Sequence, residues 1–458
     1  MTLETLQAEL EHVLTDGDPV EIGQFLDQQN ISDVAELIYT VPEHDASIIM
    51  YMSIHRASGV FKILETPTQQ DIIQKLPPSK TAELLNELPP DDRTALLEDL
   101  PSDVVRELIK LLNPEERKIT LSLLGYPENS VGRLMTPDYV YVYENNTVQQ
   151  VIDVIRRVGK NSETIDVIYV INDKGELLDD IRIREFILAD PRKRVSELMD
   201  DRVISLNAYA DQEEANEAFK MNNRVALPVV SNSNKLLGIV TIDDILWVAN
   251  EEFTEDIQKI GGTEALDQPY LEISLLQLFK KRVVWLIILF IGELITISAM
   301  HQFEDEISKV LVLATFIPLI ISSGGNSGSQ AATLIIQAMA LREISIEDWW
   351  SIMRREIFSG LLLGLTLCIL GISVISIWQA ISNTFGEYYL SVAFTIGISL
   401  VGVVLWGTLV GSMLPLILKK LGADPAASST PFVATLVDVT GIIIYFSVAL
   451  LILKGKLL

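Results

Sequence analysis

The chain has 458 residues, 49% of them hydrophobic and 21% charged, and its 35 Lys+Arg stand against 62 Asp+Glu for a formal net charge of −27. Such acidity disfavours nucleic acid as a partner and attracts cations, divalent ions most of all. One cysteine, Cys368, excludes a disulfide framework or a cysteine-based metal site, and four scattered histidines (His12, His44, His55, His301), with no P-loop, HExxH or Ser-His-Asp arrangement, give no support to hydrolysis or nucleotide-driven pumping.

In chain order, Met1 to Asp16 is amphipathic and acidic and lacks the basic start and apolar core of a signal peptide. From residue 76 a pattern recurs every 12 residues: Leu76-Pro77-Pro78, Leu88-Pro89-Pro90, Leu100-Pro101-Ser102 and Leu112-Asn113-Pro114. Each unit opens a short helix, with proline in the first turn, where its missing N–H is not needed, and acids such as Asp91, Asp92, Asp103, Glu115 and Glu116 near the helix N-terminus. Units this short bury a core only by stacking, so an all-α superhelical domain is expected over residues 1–128.

Residues 129–251 change period. A strand-like Tyr139–Val142, a helical Thr147–Val158 and an apolar Val167–Ile171 are followed by a second round: Val203–Leu206, a helix from Asp211 to Met221, then Ala226–Val230 and Leu237–Val240. The two rounds resemble a tandem pair of cystathionine-β-synthase (CBS) domains. Gly238-Ile239-Val240-Thr241-Ile242-Asp243-Asp244 carries that family's G-x-x-T-x-x-D signature, whereas Leu178–Arg184 in the first copy lacks the Gly and the Thr. The resemblance implies that any nucleotide binds through Thr241 and Asp244. The alternative is an Asp244 that only caps the following helix.

The charge then divides. From Lys281 onward there are 10 basic and 11 acidic residues, leaving 25 basic and 51 acidic, a net of −26, in the first 280. Hydropathy gives five spans near Val283–Gln302, Val310–Ala340, Ile357–Ala380, Leu390–Leu418 and Phe432–Leu453, each long enough for a hydrocarbon core of about 30 Å. Lys280, Lys281, Arg282, Arg342, Arg354, Arg355, Lys419 and Lys420 all fall on one side. The positive-inside rule therefore puts the N-terminal half in the cytoplasm and the C-terminus outside, with Lys454 and Lys456 counting weakly against.

The second span carries Pro318 and Ser322-Ser323-Gly324-Gly325-Asn326-Ser327-Gly328-Ser329-Gln330 at membrane depth. Irregular polar backbone survives there only when protein or a watery cavity covers it, which suggests a pathway for a polar solute. Helix packing accounts equally for the glycines, but not for Asn326 and Gln330. Two carboxylates lie within spans, Asp438 in the fifth and Glu293 in the first, and neither span contains a basic residue to neutralise them. Charges at that depth cost roughly 2.5 kcal/mol or more, and a cation is the simplest partner. For Glu293, a protonated carboxyl bonding across helices explains the residue equally well.

The order of parts resembles the bacterial MgtE magnesium channel family, and so do three motifs: Gly324–Thr333, Leu421-Gly422-Ala423-Asp424-Pro425-Ala426 and Pro431–Gly441. The resemblance implies a homodimer in the bacterial inner membrane with one pore on its axis, lined by the second and fifth spans. There Asp438, Gly325, Asn326, Gly328 and Thr333 would face hydrated Mg2+. It also implies regulation: cytosolic Mg2+ bound among Asp91, Asp92, Asp244, Glu252, Glu255 and Asp256 holds the channel shut, and a helix from about Gln268 to Arg282, within a connecting region 252–282, plugs the pore domain 283–458. This chain departs from the family pattern at Asn223, Trp247 and Thr430, which weakens the sensing sites. Arg224 stands where an aromatic would stack on adenine, which puts ATP in doubt. The rivals are a Na+-linked divalent-cation exchanger, favoured by Glu293, and a non-transporting sensor.

Overall fold

The structure is a computed structural model that describes residues 3–98, 100–266, 270–271, 273–304, 310–382, 385 and 388–454. It separates into two units, 1–250 and 251–458.

In the first unit the 12-residue repeat becomes the helices Pro78–Glu87, Pro90–Glu98, Ser102–Leu111 and Pro114–Leu123. The leucine that precedes each one (Leu76, Leu88, Leu100, Leu112) is buried in a core shared with the earlier helices. Proline pre-sets the first helical φ, and the leucine before it anchors the turn. Arg93, wholly buried, donates to Leu85 O (3.0 Å), Leu88 O (3.2 Å) and Thr120 Oγ1 (2.9 Å) and pairs with Glu116, tying non-adjacent repeats together.

The CBS pair holds two three-stranded sheets. In the first, β1 (Tyr141–Tyr143) runs parallel to β2 (Val167–Ile171), which is antiparallel to β3 (Leu177–Arg182). In the second, β4 (Leu206–Asn207), β5 (Ala226–Val230) and β6 (Leu236–Thr241) repeat that order. Helices Val148–Val158 and Gln212–Asn222 make the crossovers. β1 and β4 lie one to three residues later than their apolar runs suggested. The first copy's degraded segment still forms β3, paired along its length with β2, so losing Gly and Thr costs the ligand signature and leaves the sheet intact. Asn223 closes its helix at φ +49°, a left-handed cap that asparagine tolerates.

Among the described residues the second unit contains five helices long and apolar enough to cross a membrane: a first span Leu275–His301, a second Leu311–Ala340, a third Ile346–Ser382, a fourth Tyr389–Lys420 and a fifth Thr430–Leu453. The first is longer than hydropathy suggested. A Ser274–Gln277 capping box starts it, so the region expected to plug the pore is, from Leu275, the same helix as the span. Gln268 lies outside the described residues.

The expectation of irregular backbone in the second span is corrected. Leu311–Ala340 is one continuous helix through Pro318 and all three glycines. The glycines serve close packing instead. A Cβ on Gly407 would collide with Gly324 O, and one on Gly411 with Gly328 O. Two Gly-x-x-x-Gly faces thus bring the second and fourth spans into backbone contact without interrupting the helix. We expect Gly411→Val to cost about 2 kcal/mol or more by overpacking. Thermal unfolding in detergent should show a lowered midpoint with the helical signal retained.

Candidate ion pathway and acidic cluster

The pathway residues come from the second and fifth spans. Asp438 is half-buried, and its Oδ1 faces the backbone at Gly325: a Cβ there would lie 3.6 Å from Oδ1 and 3.5 Å from Ala434 Cβ. Ser322, Asn326, Gln330, Thr333 and Gln337, spaced by three or four residues, fall on one helix face, and all are exposed in the protomer. Asn326 Nδ2 donates to Ser322 Oγ at 3.3 Å along that stripe. Ser329 Oγ donates to Thr430 O at 3.2 Å, and a cavity of about 480 Å3 is lined by Ser329, Gln330, Thr333, Leu334 and Thr430. Gly325, Asn326, Thr333 and Asp438 therefore belong to one region. Gly328 turns away, buried against Gly407 and Val433, and acts as a packing residue. Trp406 Nε1 donates to Thr440 Oγ1 (2.8 Å) and Tyr445 OH to Leu313 O (2.9 Å), anchoring the fifth span to the fourth and the second. Glu293, on the first span, comes within hydrogen-bonding reach of Asp438.

In the first unit the expected acids do meet. Asp91 and Asp92 start the helix Pro90–Glu98, and Asp243 and Asp244 start the helix Ile242–Ile260. Asp91 is buried and its Oδ1 has no hydrogen-bond partner. Burial first, then the charges of Asp244, Asp92 and Glu163, push its carboxyl well above the usual range. Asp92 is raised to about 6, mainly by burial, with Lys62 opposing. Asp244 is raised to about 7, also mainly by burial, although Thr241 donates to its Oδ2 at 2.7 Å. Asp138 rises to about 6 through burial, then Glu116 and Glu163. Sequence reasoning missed Asp138, Glu163, Asp243 and Lys62. Lys62 places its Nζ 3.7 Å from Asp92 and 4.0 Å from Glu163. No local pattern marks these residues, because the fold alone assembles them. Among the described residues no three His, Cys, Asp or Glu side chains converge tightly enough to hold one metal ion, so this is a shared negative field and not a closed shell.

The remaining named acids lie in the second unit. Glu255 and Asp424 both pair with Lys259, the latter at 2.7 Å. Asp256 is raised to about 6 by burial and then by Asp424. Asp424 begins the turn that leads into the fifth span, and its Oδ1 accepts from Ala426 N at 2.8 Å. In the first unit Arg224 is committed to Asp180 at 2.6 Å, across the two CBS copies.

A membrane domain with a polar stripe and an intramembrane carboxylate, joined to a CBS pair and an acidic helical stack, defines a polytopic transport protein with a large soluble portion. Family models agree. Residues 29–129 match the MgtE intracellular N domain, 131–191 and 195–251 match CBS domains, and 317–448 match a divalent cation transporter. The chain is 41% identical to the magnesium transporter MgtE of Thermus thermophilus over 350 residues, 76% of each chain. It is 30% identical to that of Bacillus subtilis over 451 residues, 98% of each. The crystal structure of the cytosolic domain of the Mg2+ channel MgtE in complex with ATP superposes with a TM-score of 0.51 at 34% identity, covering 53% of this chain and 99% of that one. The chain belongs to the MgtE family of magnesium transporters.

Proposed function

We propose that the protein is a Mg2+-selective channel for Mg2+ uptake. In this reading it is a homodimer in the bacterial plasma membrane, with its N-terminal domains in the cytoplasm and its C-terminus outside. The observation that carries the reading is the stripe Ser322-Asn326-Gln330-Thr333-Gln337, which one protomer leaves uncovered on a membrane helix beside Asp438. Polar groups at that depth must face water or protein. A second copy on a common axis supplies both, doubles the carboxylate and encloses a wet path. Mg2+ sheds water reluctantly, so two carboxylates with backbone and amide oxygens suit its hydrated form. Closure follows when cytosolic Mg2+ bridges Asp91, Asp92 and Asp244, and when it engages Glu252, Glu255 and Asp256 ahead of the membrane domain.

Currents through liposomes, with Mg2+ varied on each side separately, test this. Reversal at the Mg2+ equilibrium potential supports the channel. Flux that requires a Na+ gradient would establish the exchanger instead.

ATP is expected to bind weakly. Thr241 and Asp244 satisfy each other, and Arg224 is held by Asp180, although a relative's cytosolic domain takes ATP. Calorimetry on the detergent-solubilised chain should show little ATP heat, and Asp244→Ala should reduce closure by Mg2+. Tight ATP binding that is lost in Asp244→Ala would make Asp244 a ribose ligand.

A further inference from the structure

We propose that Glu293 is a specificity-determining residue for ion transport, acting through Asp438 and adding a second carboxylate per protomer to the field met by the ion. The proposal rests on reading Asp438 as the pathway's carboxylate. Its basis is a packing contact. A Cβ at Gly292 would run into Thr435 Cγ2, so only glycine there lets the first span approach the fifth closely enough for residue 293 to reach residue 438. Gly292 and Glu293 are neighbours in sequence, as Thr435 and Asp438 are neighbours on one helical turn, so the close approach and the carboxyl pair form one device. Neither Val283–His301 nor Phe432–Leu453 contains Lys or Arg; the basic residues of the first span, Lys280, Lys281 and Arg282, lie about three helical turns before Glu293.

Burial separates this role from ordinary helix bonding. Glu293 is exposed and Asp438 half-buried in the protomer, so the pair sits at the margin of the helical bundle. A carboxyl whose work is to join two helices belongs in the packed interior, where Tyr445 and its carbonyl partner are found. Two carboxyls in hydrogen-bonding reach share a proton until a cation arrives. A cation drawn to the pair releases that proton to water, both carboxylates then act on it, and a divalent ion gains twice what a monovalent ion gains. The consequence is selection by charge, Mg2+ over Na+.

The test uses the full chain in planar bilayers, with Na+ current measured under added Mg2+. Glu293→Gln keeps the shape and can still hydrogen-bond Asp438, whereas Glu293→Asp keeps the charge. We expect the Mg2+ concentration that halves the Na+ current to rise about tenfold in Glu293→Gln and to stay within about twofold in Glu293→Asp. A wild-type Glu293→Gln overturns the proposal, and so do equal losses in both variants, which would mark a shape requirement. Asp438→Asn is run alongside. If it weakens block while Glu293→Gln does not, only the inference about Glu293 fails. If Asp438→Asn changes nothing, the pathway reading itself fails, and this inference with it.

Discussion

Asp438→Asn should remove high-affinity Mg2+ block and discrimination against monovalent cations while leaving the protein folded. An uncompensated charge at membrane depth costs roughly 2.5 kcal/mol, on the order of 50-fold in an equilibrium, and the proposed homodimer would lose this cation-holding charge twice. The amide has the shape of the carboxylate, so packing against Gly325 and Ala434 is kept and the loss is one of charge. Bilayer recordings of Na+ current under rising Mg2+ measure the effect, and a monodisperse detergent-solubilised species verifies the fold. Wild-type Mg2+ block in this variant would remove Asp438 from the pathway.

Mg2+ at about millimolar levels should protect the first unit from protease, and deleting residues 1–128 should leave a channel that closes poorly. The cause is the shared field of Asp91, Asp92, Asp138, Glu163, Asp243 and Asp244. A folded-state pKa raised above its unfolded value means that the folded arrangement binds more protons at intermediate pH. Stability from this cluster is therefore present in acid and lost as pH rises through about 6 to 7, the range to which Asp92, Asp138 and Asp244 are raised. Protection should accordingly need no Mg2+ near about pH 5 and depend on it near about pH 8. Lys62 is a tethered cation within this field. Lys62→Met should lower protection without Mg2+ and enlarge the gain when Mg2+ is added. Normal closure by the truncated protein would place the sensor outside the helical stack.

Local patterns reached far in this chain. Leu76, Leu88, Leu100 and Leu112 mark four helices because a proline turn and a core leucine are read within a dozen residues. β2 and β5 are legible as apolar runs because they are buried throughout. The same locality misled at Gly324, Gly325 and Gly328. A glycine-rich stretch reads equally as broken helix or as close packing, and the decision lies with Gly407 and Gly411, some 80 residues away. Their Gly-x-x-x-Gly spacing was present in the sequence and could have tipped the reading.

By itself the sequence determined the all-α stack, the twice-repeated α/β unit that resembles a CBS pair and the five spans, together with Asp438 as an unneutralised intramembrane carboxylate. Each of these is written in the period, length or composition of a contiguous segment. Tertiary structure alone decided that Gly325 backs Asp438 while Gly328 packs on the fourth span, and that Asp91, Asp92 and Asp244 share their field with Lys62, Asp138 and Glu163. It alone brought Glu293 to Asp438, across 145 positions of chain. Electrostatic and close-packing partners meet through space, and nothing in the spacing of residues along a chain records which distant groups the fold will bring within a few ångströms.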